Sequence, residues 1–143
     1  MILVDSNLLL YAYIRNYPQH PRARTWLNQV LNDPRRVGLP WPSLLAFLRI
    51  STNPRAFAKP ASIEEAWRQV REWLESPSSW VPRPTERHAE VLEHLLVESQ
   101  VAGDLVSDAH LAALALEHGL TLCSADKDFS RFEGLSFENP LAA

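Results

Sequence analysis

The residues of this chain most able to do chemistry are aspartates that stand at the ends of apolar runs. Asp5 follows Ile2-Leu3-Val4 directly, and Asp126 follows Leu120-Thr121-Leu122-Cys123 after only Ser124 and Ala125. Asp108 stands near the start of a long apolar segment, Leu105 to His118. Short apolar runs of this kind read as buried strands. In an open α/β sheet, ligands sit in the crevice outside the carboxyl ends of the strands. Carboxylates gathered there repel one another, by about 4 kcal/mol for a pair at about 4 Å in an effective dielectric near 20. Such a group protonates or binds cations. The donors are oxygens, the chain has one cysteine, and no second histidine stands at metal spacing from His88. That set favours Mg²⁺ or Mn²⁺ over Zn²⁺. A cation held this way can activate water against a phosphodiester and stabilise charge on the transferring phosphate. The plainer alternative is that each aspartate only caps a helix. For Asp104, one turn before Asp108, a cap is the favoured reading over a supporting carboxylate.

Positioning these groups requires strands that alternate with helices. After Asp5, Leu8 to Ile14 reads as a short apolar helix that breaks before Pro18, and His20 to Leu31 as a second helix with Pro21 near its start. Val37 to Leu39 is a second strand, Pro40-Trp41-Pro42 punctuates the chain, and Ser43 to Ile50 is a mostly apolar, buried helix. Ser62-Ile63-Glu64-Glu65 has the capping-box pattern, and Ile63, Trp67, Val70 and Leu74 form one stripe expected to pack in the core. Trp80 to Pro82 is extended, Thr85 is expected to cap a helix bearing His88, Val91, Leu92, Leu95 and Leu96, and His88 is read as a packing or capping residue. Leu105 to His118 is apolar on nearly every side, with Gly119 as its stop and with Ala112 and Ala115 on the face of Asp108. Leu135 to Phe137 is the last strand. The alternation predicts an α/β fold, a mainly parallel sheet covered on both faces.

The 143 residues are expected to form one domain. Hydrophobic residues make up 46% and charged residues 22%, as in ordinary globular proteins. With a single cysteine there is no disulfide framework, and a reducing, cytoplasmic setting is expected. No apolar run reaches membrane-spanning length, so neither a membrane protein nor a secreted one is expected. The net charge of −3 argues against a passive nucleic-acid coat, which relies on Lys and Arg, but not against an enzyme that meets phosphates through metal ions. Arg22, Arg24, Arg35 and Arg36 cluster around the second helix, as a solvated face or a region that steers a phosphate backbone.

Asp5-Ser6-Asn7-Leu8-Leu9-Leu10-Tyr11-Ala12 resembles the opening of PIN-domain ribonucleases, in particular VapC-type toxins of toxin–antitoxin pairs. The stretches Gly103 to Ala115 and Ser124-Ala125-Asp126-Lys127-Asp128-Phe129 resemble that family's later acidic motifs, and the likeness runs in order through nearly the whole chain. The resemblance implies a three-layer α/β/α domain and Mg²⁺-dependent cleavage of RNA, with Mn²⁺ able to substitute. Asp5, Asp108 and Asp126 match the catalytic, metal-holding acids. Asp128 is an auxiliary acid, and Asn7 and Ser124 match polar neighbours that orient the carboxylates. The family also implies a homodimer and a small cognate antitoxin. One departure concerns a glutamate common in PIN domains: Ala46 stands at that position, and the helix from Leu44 to Ile50 has no acid. Two other functions fit less well. One is a PIN-like module that binds without cutting; the other is a phosphohydrolase with Asp5 as nucleophile, in which a second aspartate is usual where Asn7 stands.

Overall fold

The computed structural model describes residues 1–142. Five short strands, β1 (Ile2–Val4), β2 (Val37–Gly38), β3 (Ser79–Trp80), β4 (Thr121–Cys123) and β5 (Phe137–Glu138), form one sheet in the order β3-β2-β1-β4-β5. Every neighbouring pair is parallel, and the register places Val4 beside Cys123 and Leu3 beside Gly38. Six helices cover the sheet: α1 (Ser6–Tyr13), α2 (His20–Leu31), α3 (Trp41–Ser51), α4 (Ile63–Leu74), α5 (His88–Glu98) and α6 (Leu105–His118). A 3₁₀ turn, Lys127–Arg131, connects β4 to β5.

Side chains alternate across a strand, so successive β1 residues serve opposite faces. Val4 packs with Leu8, Leu27, Leu44, Phe47 and Trp73 of α1 to α4, whereas Leu3 packs with Leu95, Leu114 and Phe129 on the α5–α6 side. The result is the expected three-layer α/β/α arrangement. Gly38 lies where the chain crosses itself closely: a Cβ there would lie 3.1 Å from both Leu3 and Pro82, so those side chains would have to shift to admit it. Gly119 ends α6 in the left-handed region at φ 66°, which glycine adopts without strain.

Several local expectations need correction. α3 begins at Trp41, because prolines fit the first turn of a helix; Pro40-Trp41-Pro42 starts the element rather than separating it. Leu44 and Phe47 of this helix are fully buried, but Trp41 and Leu45 are exposed. In α4 the capping box is present as read. The buried face, however, is Ala66, Val70 and Trp73, while Ile63 is 54% and Trp67 39% exposed. The large apolar side chains suggested one stripe, and small Ala66 set a different one, rotated by about one residue. Thr85 stands three residues before α5, which starts at His88: its hydroxyl oxygen accepts from the Arg87 N–H at 3.2 Å, capping the turn that leads into the helix, while the hydroxyl donates to Glu117.

Candidate active site

The carboxyl ends of β1 and β4 lie side by side, with the Asp5 N–H donating to the Cys123 carbonyl at 3.0 Å. This pairing brings Asp5 against Ser124, 119 residues later. Asp5 is the N-cap of α1, so the capping alternative is correct for it as well: its Oδ1 accepts from the Ser6 N–H at 2.7 Å. Its Oδ2 accepts from the Ser124 hydroxyl at 2.8 Å.

Ser124 is completely buried and joins three groups. While donating to Asp5, its Oγ accepts from Asn7 Nδ2 at 3.1 Å and from the Asp126 N–H at 2.9 Å. Asn7 Oδ1 in turn accepts from the Ala125 N–H at 3.3 Å. Asn7 and Ser124 thus tie the β1 edge to the β4 edge and fix the orientation of Asp5.

Asp126 uses Oδ1 to accept from the Asp128 N–H at 2.9 Å and so begins the 3₁₀ turn. Asp108 sits in the first turn of α6, where the helix dipole favours a negative charge. Ala112 and Ala115, on its face, are fully buried. Asp104 occupies the N-cap position of α6 but makes no side-chain capping bond and is exposed, so the cap expected there is not formed. Its backbone is already helical, outside the extended geometry a capping side chain needs. The α3 helix presents Ala46 and no acid.

Electrostatics shows which acids share the edge. Burial is the main cause that pushes the Asp108 carboxyl up, to about 6, followed by the charges of Asp5, Asp126 and Asp128; Arg131 acts in the opposite sense. Asp5 is also raised, first by burial and then by Asp126, against the hydrogen bonds from Ser124 and Ser6. The charges of Asp5, Asp126 and Asp128 thus act on Asp108, and that of Asp104 is not among them. Among the described residues, no three His, Cys, Asp or Glu side chains are close enough to hold an ion by themselves. The donor set still suits Mg²⁺, which takes one or two carboxylates and keeps waters or phosphate oxygens as its other ligands.

Two features were not visible in the sequence pattern. Arg131, on the 3₁₀ turn, is a cation whose charge reaches Asp108. On the α5–α6 seam, His88 Nδ1 lies 2.5 Å from Glu117 Oε2 and His88 Nε2 lies 3.1 Å from His110 Nδ1. His88 thus links two helices and is no cap; its contact with His110 depends on how α5 and α6 pair, which local spacing does not reveal. A groove of about 1020 Å³ lies elsewhere, between α2 and α4, and Arg15, Arg24, Lys59, Phe57, Glu72 and Trp73 are among its walls. No helix among the described residues is long and apolar enough to cross a membrane.

The PIN domain family matches residues 2–135 of the chain. Ribonuclease VapC37 of Mycobacterium tuberculosis is 43% identical over 142 residues, 99% of each chain. Ribonuclease VapC33 of the same species is 40% identical over 141 residues, again 99% of each. Among solved structures, VapBC2 from Rickettsia felis bound to a DNA fragment from their promoter superposes with a TM-score of 0.70 at 16% identity, covering 97% of this chain and 98% of that one. VapBC-1 from nontypeable Haemophilus influenzae gives 0.67 at 20% identity, covering 99% and 100%.

Proposed function

The chain belongs to the PIN domain family, among VapC-type ribonucleases, and on that premise we propose that it is a metal-dependent endoribonuclease, the toxin of a toxin–antitoxin pair. The observation that carries the reading is the hydrogen-bonded joining of Asp5 to the Asp126 backbone through Ser124 at the carboxyl edge of the sheet, beside an Asp108 carboxyl pushed up to about 6, first by burial and then by the charges of Asp5, Asp126 and Asp128. Carboxylates whose ionised form is disfavoured by burial and by like charges gain from a bound cation.

Asp5 and Asp108, with Asp126, would hold Mg²⁺ or Mn²⁺. When bound, the ion supplies a water nucleophile at neutral pH and counter-charge for the phosphate. The chain's own part is orientation. Ser124 and the Ser6 N–H fix both oxygens of Asp5, Asn7 holds Ser124 and the backbone of Ala125, and Asp126 shapes the turn that presents Asp128. The lack of an acid on α3 favours one firmly held ion.

The structural relatives are described as VapBC assemblies, which supports a VapB-like antitoxin as partner. The groove between α2 and α4 offers that partner a surface apart from the carboxylates. The exposed Trp41 and Leu45 support pairing with a second copy.

The test is incubation of purified single-stranded RNA with the protein in Mg²⁺, in Mn²⁺ and in EDTA. Endonucleolytic cleavage with either metal, abolished by EDTA and by Asp5→Asn, is expected. Absence of cleavage with both metals across a varied set of RNA sequences, by folded protein free of antitoxin, would reject the reading.

A further inference from the structure

The candidate site has an electrostatic imbalance. Asp5 and Asp126 are joined through Ser124 at one edge, Asp128 follows on the turn that Asp126 begins, and an RNA phosphate would bring further negative charge to them. A cation bound to the carboxylates offsets part of that charge, but the outer oxygens of the phosphate also need donors. The 3₁₀ turn Lys127–Arg131 supplies a suitable one. The turn is held at both ends: the Asp126 carboxylate accepts from the Asp128 N–H, and Phe129 and Phe132 are buried in the α5–α6 core. Arg131 is exposed, and its Nε donates to the Asp128 carbonyl at 3.3 Å. That bond fixes one edge of the guanidinium. Among the described residues, no carboxylate lies within 4.0 Å of its nitrogens. The two terminal amino groups thus remain available as a planar fork, the geometry that matches two phosphate oxygens.

We propose that Arg131 is a catalytic residue of this site, its guanidinium donating to the non-bridging oxygens of the scissile RNA phosphate. The proposal rests on the ribonuclease reading. It adds no bond-making step: Arg131 stays protonated and stabilises charge as the phosphorus becomes five-coordinate. It is consistent with Arg131 being the cation that opposes the neighbouring acids at Asp108. A merely structural Arg131 would only close the end of the turn through the Asp128 carbonyl.

Three variants separate these roles: Arg131→Gln, Arg131→Lys and, as a control on the same exposed turn, Lys127→Gln. If Arg131 grips the phosphate, Arg131→Gln should lower kcat on single-stranded RNA about 100-fold or more, the size of effect seen when one donor to a developing negative charge is removed. KM should move less. Arg131→Lys should retain the charge but recover only part of the rate, since an ammonium cannot fork. Lys127→Gln should stay within about threefold, and the melting temperatures of all three should match wild type. Wild-type protein that cleaves while Arg131→Gln stays within threefold of it would overturn the proposal and leave the ribonuclease reading intact. So would equal losses in Arg131→Gln and Lys127→Gln, or full activity in Arg131→Lys. If wild type does not cleave at all, the ribonuclease reading fails, and the contact is then judged by fluorescence anisotropy of a labelled RNA in Ca²⁺. Tenfold or greater weakening by Arg131→Gln but not by Lys127→Gln supports the phosphate contact, and any smaller difference overturns it.

Discussion

Asp108 combines two demands that conflict in the metal-free protein. Its place at the start of α6 suits an anion, yet burial and three neighbouring carboxylates push its carboxyl up to about 6. The folded protein therefore binds a proton that the unfolded chain, with a carboxyl near 3.8, releases. Stability associated with that proton is fully present below pH 3.8 and is lost as the pH rises through about 6. Because Asp108 keeps substantial contact with water, screening limits the destabilisation at pH 7 to about 1 kcal/mol. In EDTA, Asp108→Asn should raise the melting temperature at pH 7 by about 2–4 °C. The gain should shrink towards pH 4, while RNA cleavage is abolished. A melting temperature that falls on this substitution at pH 7, measured by calorimetry, would contradict the electrostatic account. Ser124 carries the reverse expectation. Ser124→Ala leaves Asp5 Oδ2, Asn7 Nδ2 and the Asp126 N–H without their shared partner. It should destabilise by about 1–3 kcal/mol in urea unfolding and weaken Mn²⁺ binding about 10–100-fold in titration calorimetry. Unchanged Mn²⁺ affinity would show that Asp5 needs no orienting hydroxyl.

Between elements, the α5–α6 seam buries a charged side chain. The Glu117 side chain is 1% exposed and accepts from the Thr85 N–H, the Thr85 hydroxyl and His88. Burial pushes its carboxyl up, but the bonds from Thr85 and His88 together outweigh this and leave it below the ordinary range. His110 is lowered, chiefly by burial and then by His88, against Glu117. An unfolded chain takes up the His110 proton more readily, so the seam's stability is present above about pH 6.5 and is lost as the pH falls below it. Asp108 has the opposite slope in part of this window, so the measurement belongs in an Asp108→Asn background. There the melting temperature should fall from pH 7.5 to 5.5, and His110→Asn should flatten the fall. Parallel curves would remove His110 as the cause. Glu117→Ala should cost about 3 kcal/mol, since it strands buried partners. None of this seam was legible, because helical spacing tells which residues share a face, not which helix they meet. The strand-then-aspartate pattern was legible: β1 and β4 are parallel neighbours, and their geometry leaves Asp5 and Asp126 on one edge. The α4 stripe misled because burial follows the fit of Ala66 and Trp73 against the neighbouring layer, not hydrophobicity alone.

At the scale of the whole molecule, the apolar side chains left outside the core bear on assembly. Trp41 is 39% and Leu45 56% exposed, on the first turns of α3, although the same helix buries Leu44 and Phe47 completely. α3 starts at Trp41, three residues past the end of β2, and β2 pairs with the β1 strand that Asp5 follows. A partner covering Trp41 and Leu45 would thus dock beside the carboxylate edge. The Trp41→Glu, Leu45→Glu double variant separates assembly from folding. Both residues are at the surface, where substitutions change stability by only about 0.5 kcal/mol, and acids in the first turn suit the helix dipole. Its melting temperature should stay within about 2 °C of wild type. By multi-angle light scattering at high micromolar concentration, wild type should elute as a dimer and the variant as a monomer. A wild type that is monomeric under these conditions, and that gains no second copy when antitoxin is added, would assign the exposed α3 surface to something other than self-association.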